Sequence, residues 1–333
     1  MDEKRVRISD IADELGLSTA TVSNVLHGKT AKVSERTVQK VQALLEERQY
    51  VPSMAGILLA QNSSRIIGVV INDHRKYEGR VLEDTFISSS LNCLSAEIER
   101  NGRFMMVKTA TDPADIIRFA SMWNLDGLVL IGFCDQDYMH LRSHMRIPFV
   151  VYDGYLTKAE RIYNITIDNY DGGLQVGQLF RRLGHSRALC IADNDIFIDH
   201  ERCEGFRAGF GGGDFLCIPM QREARHRFYT ERLSLLGSYT AIFAVSDYYA
   251  FELIHFLTAN GFRVPQDISV AGFDDTPMCI LFSPALTSVR QDSAQRARIA
   301  MEKLEQLRTG KISEHTIMLP VQLMERASTC AME

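Results

Sequence analysis

Along the first fifty residues, apolar positions recur every three or four residues, the spacing of short amphipathic helices. Ile11, Ala12 and Leu15 form one such face, and Val22, Val25 and Leu26 a second. Val38, Val41, Leu44 and Leu45 form a third, on a helix running from about Ser34 to Arg48. Ser9, Ser18 and Ser34 stand where helix N-caps are expected, and Asp10, Asp13 and Glu14 suit the positive end of the first helix. Gly16 closes that helix, because a left-handed turn residue is cheapest as glycine. Val33 and Val38 have the spacing of a hydrophobic staple. The second helix leaves Thr19, Ala20, Ser23 and Asn24 facing outward, all short and uncharged. An ordinary solvent face carries Glu, Lys or Arg, whereas short polar side chains suit a helix whose N-terminal half enters a DNA major groove.

From Arg65 onward the pattern changes to short unbroken apolar runs alternating with helical stretches. Strands are expected at 66–71, 104–109, 127–132 and 149–153, then at 164–168, 188–193, 215–219, 241–247 and 268–275. Helices are expected over 81–100, 112–123 and 170–183, and from about Arg202. Runs apolar on both faces mean parallel sheets covered by helices on each side. Two such series in tandem predict an α/β core of two parallel-sheet lobes with a cleft between them, preceded by an all-α helix-turn-helix domain. Ligands in such sheets bind outside the carboxyl ends of the strands.

Composition narrows the function classes. At 333 residues the chain is too long for one ordinary core, and 46% hydrophobic with 24% charged residues is a foldable, soluble balance. No run approaches the roughly 20 apolar residues of a membrane helix, and the charged start MDEKRVRISD has no apolar core of a secretory signal, so a cytoplasmic location is expected. Seven cysteines fall singly with no C-x-x-C pair, which argues against a disulfide framework or a zinc site and for a reducing compartment. Net charge is −5, and residues 1–60 are neutral, so DNA binding rests on the motif and not on a basic patch. No G-x-S-x-G, H-E-x-x-H, dinucleotide fingerprint or P-loop occurs, and Gly211-Gly212-Gly213 is followed by no Lys-Ser/Thr. His185 and His255 read as structural or surface histidines. Asp274 and Asp275 are neighbours pointing differently at a strand end, so no acid–base pair is implied. No catalytic residue, metal or cofactor is expected.

The ordered stretch I-x-D-I-A-x-x-L-G-L-S-x-x-T-V-S-x-V-L (8–26), then V-S-x-x-T-x-x-K-V (33–41) and Y-V-P-S (50–53), resembles the LacI/GalR family of transcriptional regulators. The core carries D-N-x-x-G-G (168–173), L-G-H (183–185), R-x-x-G-F (202–206), V-P-x-D-I-S-V-A-G-F-D-D (264–275) and L-T-S-V-R-Q-D (286–292), so the resemblance covers essentially the whole chain. It implies a reader at 1–50 and a hinge helix at 51–61. It also implies a core resembling periplasmic sugar-binding proteins, crossed by the chain near 162, 291 and 321. The lobes are then 62–161 with 291–320, and 162–290 with 321–333, and one C-terminal strand, 317–325, spans both. Leu59 corresponds to the leucine that wedges into the minor groove, with Ala55 and Gly56 beside it. Gly56 disfavours helix by about 1 kcal/mol, so this hinge should be reluctant to fold without DNA, or should pack on its mate through added apolar surface.

The expected partners are double-stranded DNA with a pseudo-palindromic operator, a second copy of the chain, and a small polar effector. Thr19, Ala20 and Asn24 are the candidate base readers; Ser18, Thr21 and Ser23 are candidate phosphate contacts. In the cleft, the resemblance and strand-end positions single out Asp153, Arg202, Asp247 and Asp274, whose carboxylates and guanidinium suit hydroxyl groups. The competing reading makes them helix caps and interlobe ion pairs. The usual Asn-Asp is Ser246-Asp247 here, and 218–224 lacks an aromatic for sugar stacking; Tyr77, Phe133, Tyr155, Phe197 and Tyr248 are the substitutes. A sugar or sugar derivative is the first expectation, a nucleobase or partner protein the alternative, and an exported solute-binding protein of the same fold the rival class. No heptad tail follows the last strand, so a tetramer is not expected.

Overall fold

A computed structural model of the protein describes residues 6–51, 63–154, 164–311 and 316–332. The chain divides into two compact units, Met1–Ser64 and Arg65–Glu333.

The first unit is three helices, α1 (Ile8–Leu15), α2 (Thr19–Leu26) and α3 (Glu35–Glu47). They close over Ile11, Ala12, Val22, Val25, Val41 and Leu44. Ser9 does not cap α1. The helix begins two residues earlier than a Ser9 cap would place it, at Ile8, and the Asp10 carboxylate accepts from the Arg7 amide at 2.8 Å. A carboxylate three residues in reaches back to an otherwise unpaired N–H and outcompetes the serine. Ser18 and Ser34 do cap α2 and α3, accepting from the Thr21 and Thr37 amides. Gly16 ends α1 at φ 62°, and the Leu17 amide returns to the Ala12 carbonyl.

The second unit holds the α/β core. Its first sheet gathers β1 (Ile66–Asn72), β2 (Phe104–Ala110), β3 (Gly127–Ile131), β4 (Phe149–Tyr152), β5 (Asn164–Ile167) and β11 (Thr316–Leu319), in the order β11-β5-β4-β3-β1-β2. The helices α4 (Thr85–Arg100), α5 (Pro113–Met122) and α6 (Asp135–His144) connect its strands. Helix α7 (Asn169–Arg182) then leads to the second sheet. That sheet gathers β6 (Ala188–Ala192), β7 (Asp214–Cys217), β8 (Ala241–Ala244), β9 (Ser269–Asp274), β10 (Thr287–Arg290) and β12 (Gln322–Met324), in the order β12-β10-β9-β8-β6-β7. Its helices are α8 (Phe197–Phe210), α9 (Arg222–Glu231), α10 (Leu233–Leu236), α11 (Asp247–Ala259) and α12 (Met278–Leu281). Helix α13 (Ser293–Arg308) returns to pack on α4 and the first sheet. All pairings are parallel except β10 with β12.

Two boundaries differ from the sequence reading. The first crossing lies after Ile167 and not near 162, because 164–167 pairs with both β4 and β11 as part of the first sheet. The helix carrying Arg202 begins at Phe197, so Arg202 sits in its second turn and does not open it. Apolar periodicity is silent there, since Ile196 and Phe197 are exposed.

The contact between α7 and α8 determines where Arg202 goes. A Cβ on Gly173 would lie 1.9 Å from the Arg202 carbonyl oxygen, and one on Gly205 1.9 Å from that of Tyr170. Gly177 and Gly209 repeat the arrangement one turn further along. The two backbones therefore touch directly, and glycine is required by proximity, not by backbone angle.

Candidate functional sites

The reader face lies on α2. Thr19, Ala20 and Asn24 are exposed, while Thr21 and Ser23 are half-buried. The Ser18 and Thr21 hydroxyls bond each other at 2.8 Å. Both therefore serve the helix start while remaining at its surface. Lys29, Lys32 and Arg36 are exposed in the α2–α3 turn and the start of α3. Motif matching passed over these cations, and the only sequence signal for them was basic charge in a turn next to the reading helix. Leu59, Ala55 and Gly56 lie outside the described residues.

In the core, the carboxyl ends of both sheets bring the polar residues together. The Arg202 side chain is only 6% exposed. Its Nε donates to Asn169 Oδ1 at 2.9 Å, and its Nη1 to the Val245 carbonyl at 2.7 Å. Its guanidinium lies 3.6 Å from the centre of the Phe273 ring. It is thus held by α7, the end of β8 and the end of β9, a preorganised donor at a strand end. Asp274 follows Phe273 directly and adopts φ 114°. Burial holds its carboxyl well above the usual carboxylate range; Arg202 pulls it back, while Asp247, Asp84 and Asp153 push it further up. Because Asp84 and Asp153 belong to the first lobe, this acid feels charge from both sides of the cleft.

Asp153 and Asp247 both follow strand ends and are engaged by neighbouring side chains. Asp247 is 0% exposed. Its Oδ1 accepts from the Ser288 hydroxyl at 2.5 Å, and its Oδ2 from the Thr276 amide at 2.8 Å and the Cys279 thiol at 3.1 Å. Burial pushes its pKa up to about 6 against those bonds. It ties α11 to the loop after β9 and to β10. Asp153, at φ 61°, accepts from Arg296 Nη2 at 2.6 Å. Asp275 is likewise spoken for, with Arg290 and Arg326 each at 2.6 Å.

Arg296 was not anticipated. Its side chain is 0% exposed and lies over the Tyr152 ring, 4.2 Å from the centre. Besides Asp153 it reaches the Ile165 carbonyl, and its Nη1 donates to Gln291 Oε1 at 2.7 Å. Gln291 Nε2 in turn donates to Asp274 Oδ1 at 2.7 Å. A continuous polar chain, Asp153–Arg296–Gln291–Asp274, therefore joins the strand ends of the two lobes across one crossing. The family landmark ended at Asp292, one turn short of the arginine.

A third cluster gathers at the end of β6 in the second lobe. Asn194 Nδ2 bridges the Asp193 and Asp199 carboxylates, and the Tyr249 hydroxyl donates to Asp193 at 2.6 Å. Burial pushes Asp199 up to about 6, Lys76 from the first lobe pulls it down, and Asp193 pushes it up. Of the aromatic substitutes, Phe133 is buried in the first lobe and Tyr77 is half-buried against its core. Phe197 and Tyr248 are 41% and 42% exposed, and Tyr155 lies outside the described residues. Asp153, Phe197, Asp274 and Asp275 all have positive φ without being glycine. Such backbone costs about 1–3 kcal/mol per residue and concentrates at ligand sites. A groove of about 590 Å³ between α4 and α13 lies at the helix ends away from these strand ends and shares none of their residues. Among the described residues no group of His, Cys, Asp and Glu is placed to hold a metal, and no helix is long and apolar enough to cross a membrane.

A three-helix reader joined to a two-lobed core with charged strand ends defines a class, the ligand-responsive DNA-binding regulators. The profile of bacterial regulatory proteins of the lacI family matches residues 7–53, and that of the periplasmic binding protein-like domain matches 178–329. The HTH-type transcriptional repressor PurR of Vibrio atlanticus (strain LGP32) is 26% identical over 343 residues, covering 96% of this chain and 98% of that protein. The lac repressor dimer bound to operator and the anti-inducer ONPF superposes with a TM-score of 0.84 at 23% identity, covering 98% of this chain and 100% of that one. A complex of the transcriptional regulator CelR with cellobiose gives 0.69 at 23% identity, covering 97% and 100%. The chain belongs to the lacI family of bacterial regulatory proteins, and is a transcription regulator.

Proposed function

We propose that this regulator is a homodimeric repressor, working in the cytoplasm, that binds a pseudo-palindromic operator and is controlled by a small polar effector held between its lobes. The observation that carries the reading is α2, whose outward residues Thr19, Ala20 and Asn24 are exposed, short and uncharged at the end that enters a major groove. Asn24 pairs with adenine, and Thr19 or Ala20 meets a thymine methyl. Ser18, Thr21 and Ser23 set register on phosphates, joined by Lys29, Lys32 and Arg36. Two readers are needed, since one three-helix unit covers only a half-site and a two-fold dimer matches a palindrome.

The reader occupies 1–50 and the hinge 51–61, with Leu59, Ala55 and Gly56 at the minor groove. The first lobe is 62–167 with 291–320, and the second is 168–290 with 321–333. Arg202 and Asp274 contact the effector, and Phe197 or Tyr248 supplies the flat apolar face that a sugar ring needs. A sugar or sugar derivative is favoured by this donor and acceptor set and by the cellobiose-bound relative. Selection of duplexes from a random-sequence library by the full chain tests the reader; recovery of a palindrome with half-sites one turn apart supports it, and no enrichment rejects it. Thermal shift of the same chain against sugars and nucleobases tests the cleft. A ligand at 100 times its Kd adds about 2.7 kcal/mol, and that shift should vanish in Arg202→Ala.

A further inference from the structure

Cys190 on β6 and Cys203 on α8 are joined as a disulfide, with Cα atoms 6.1 Å apart. Both side chains are buried, whereas Cys93, Cys134, Cys217, Cys279 and Cys330 are free thiols. The scattered single cysteines had argued against any such bond; a strand and the helix after it bring two of them together, which spacing alone does not reveal. A protein that reads DNA works where thiols are kept reduced, and disulfides that form there are chiefly transient or sensing.

Cys203 directly follows Arg202. One side of α8 is locked to α7 by glycine-to-backbone contact, and Arg202 itself reaches Asn169, the Val245 carbonyl and the Phe273 ring. The cystine supplies a covalent tie from the same turn to β6, the strand between β8 and the edge strand β7 of the second sheet. We propose that Cys190 and Cys203 are a reversible redox pair whose oxidation pins the Arg202 turn to β6 and whose reduction loosens it, so that thiol state tunes effector binding. This regulation rests on Arg202 lining the effector cleft.

The chemistry is thiol–disulfide exchange with a low-molecular-weight disulfide. One cysteine thiolate attacks it, forming a mixed disulfide and releasing one small thiol. The second cysteine then displaces the other small thiol. Two protein thiols and one small disulfide become one protein disulfide and two small thiols. Two electrons pass to the small disulfide, and the two cysteine protons end on the released thiols. Because both sulfurs are buried, exchange proceeds through local opening of α8.

The test uses the full chain, incubated with oxidised glutathione or with dithiothreitol, then denatured, alkylated and weighed. Five alkylated cysteines after the oxidant and seven after the reductant, with the link mapped to Cys190 and Cys203, support the pair. Seven in both, or a link mapped elsewhere, overturns it. Hydrogen exchange on the two forms tests the connection to Arg202. Amides of 197–210 should exchange roughly tenfold slower in the oxidised form while those of 85–100 do not change. The Cys190→Ser protein should show no difference between treatments. Equal exchange of 197–210 in both forms of the unaltered protein removes the regulatory role. Neither arm contains an effector, so a cleft that binds no sugar leaves both results readable.

Discussion

Asn24 is the residue on the outward face of α2 whose donor and acceptor sit on separate atoms, which is what bidentate pairing with a base edge requires. Asn24→Ala should cost about 1–3 kcal/mol at one operator position and relax preference there. Competition binding with singly substituted duplexes checks this, and a uniform loss across all sequences would assign Asn24 to the backbone instead. Asp199 gives a pH dependence whose sign follows from its raised pKa. Between the ordinary carboxylate value of 3.8 and about 6, the folded chain holds a proton that the unfolded chain has lost. The stabilising contribution is therefore complete below that ordinary value and disappears as pH rises through about 6. Asp199→Asn should flatten the fall in stability between pH 4.5 and 7, by on the order of 2 kcal/mol. Urea unfolding of both proteins at the two pH values reads it, and identical slopes would remove Asp199 as a source.

The α7–α8 pair shows how an element positions a site without touching a ligand. Gly205→Ala places a methyl group inside the Tyr170 carbonyl, and one helix must move. Overpacking of this kind costs about 1–3 kcal/mol or more. The displaced helix carries Arg202, so effector affinity should fall together with thermal stability. A variant with unchanged melting would mean that the helices can slide apart freely. The cap of α2 is a smaller effect of the same kind. Ser18→Ala should cost the reader about 0.5–2 kcal/mol and weaken binding to every duplex alike, as filter binding across several sequences would show.

Across the two lobes, a hydrogen-bonded path runs from Asp153 in the first through Arg296 and Gln291 to Asp274, an effector candidate in the second. An effector that engages Asp274 competes with Gln291, and the disturbance passes to a buried ion pair in the first lobe. Arg296→Ala should destabilise the core by about 3–5 kcal/mol, because it leaves the largely buried Asp153 carboxylate without its guanidinium partner. Urea unfolding of the full chain measures that loss. A loss below about 1 kcal/mol would place the pair among the ion pairs that contribute little.

The three reader helices, strands β1 to β9, helices α4, α5 and α7, the glycine closing α1, the caps of α2 and α3 and the outward face of the reader were legible in the chain, whereas α6, α9 to α13 and β10 were not expected. Each legible feature depends on residues within a few positions of one another, where periodicity and capping chemistry act. The tandem series gave the two lobes, and the family stretch added the chain crossings and pointed to Asp153, Arg202, Asp247 and Asp274. What lay beyond local pattern was decided by packing. The helix start at Phe197 was hidden because the apolar Ile196 and Phe197 face solvent, and 164–167 joined the first sheet because of partners 152 residues away. Asp247 and Arg202 are alike in sequence terms, each polar and near a strand end. Only the tertiary structure buried the carboxylate of one among Ser288, Thr276 and Cys279 and set the guanidinium of the other at the cleft. Local sequence determines which elements form, because propensity and capping are short-range. Which polar group is spent on holding the fold depends on long-range neighbours, and so do the Cys190–Cys203 bond and the Arg296 chain.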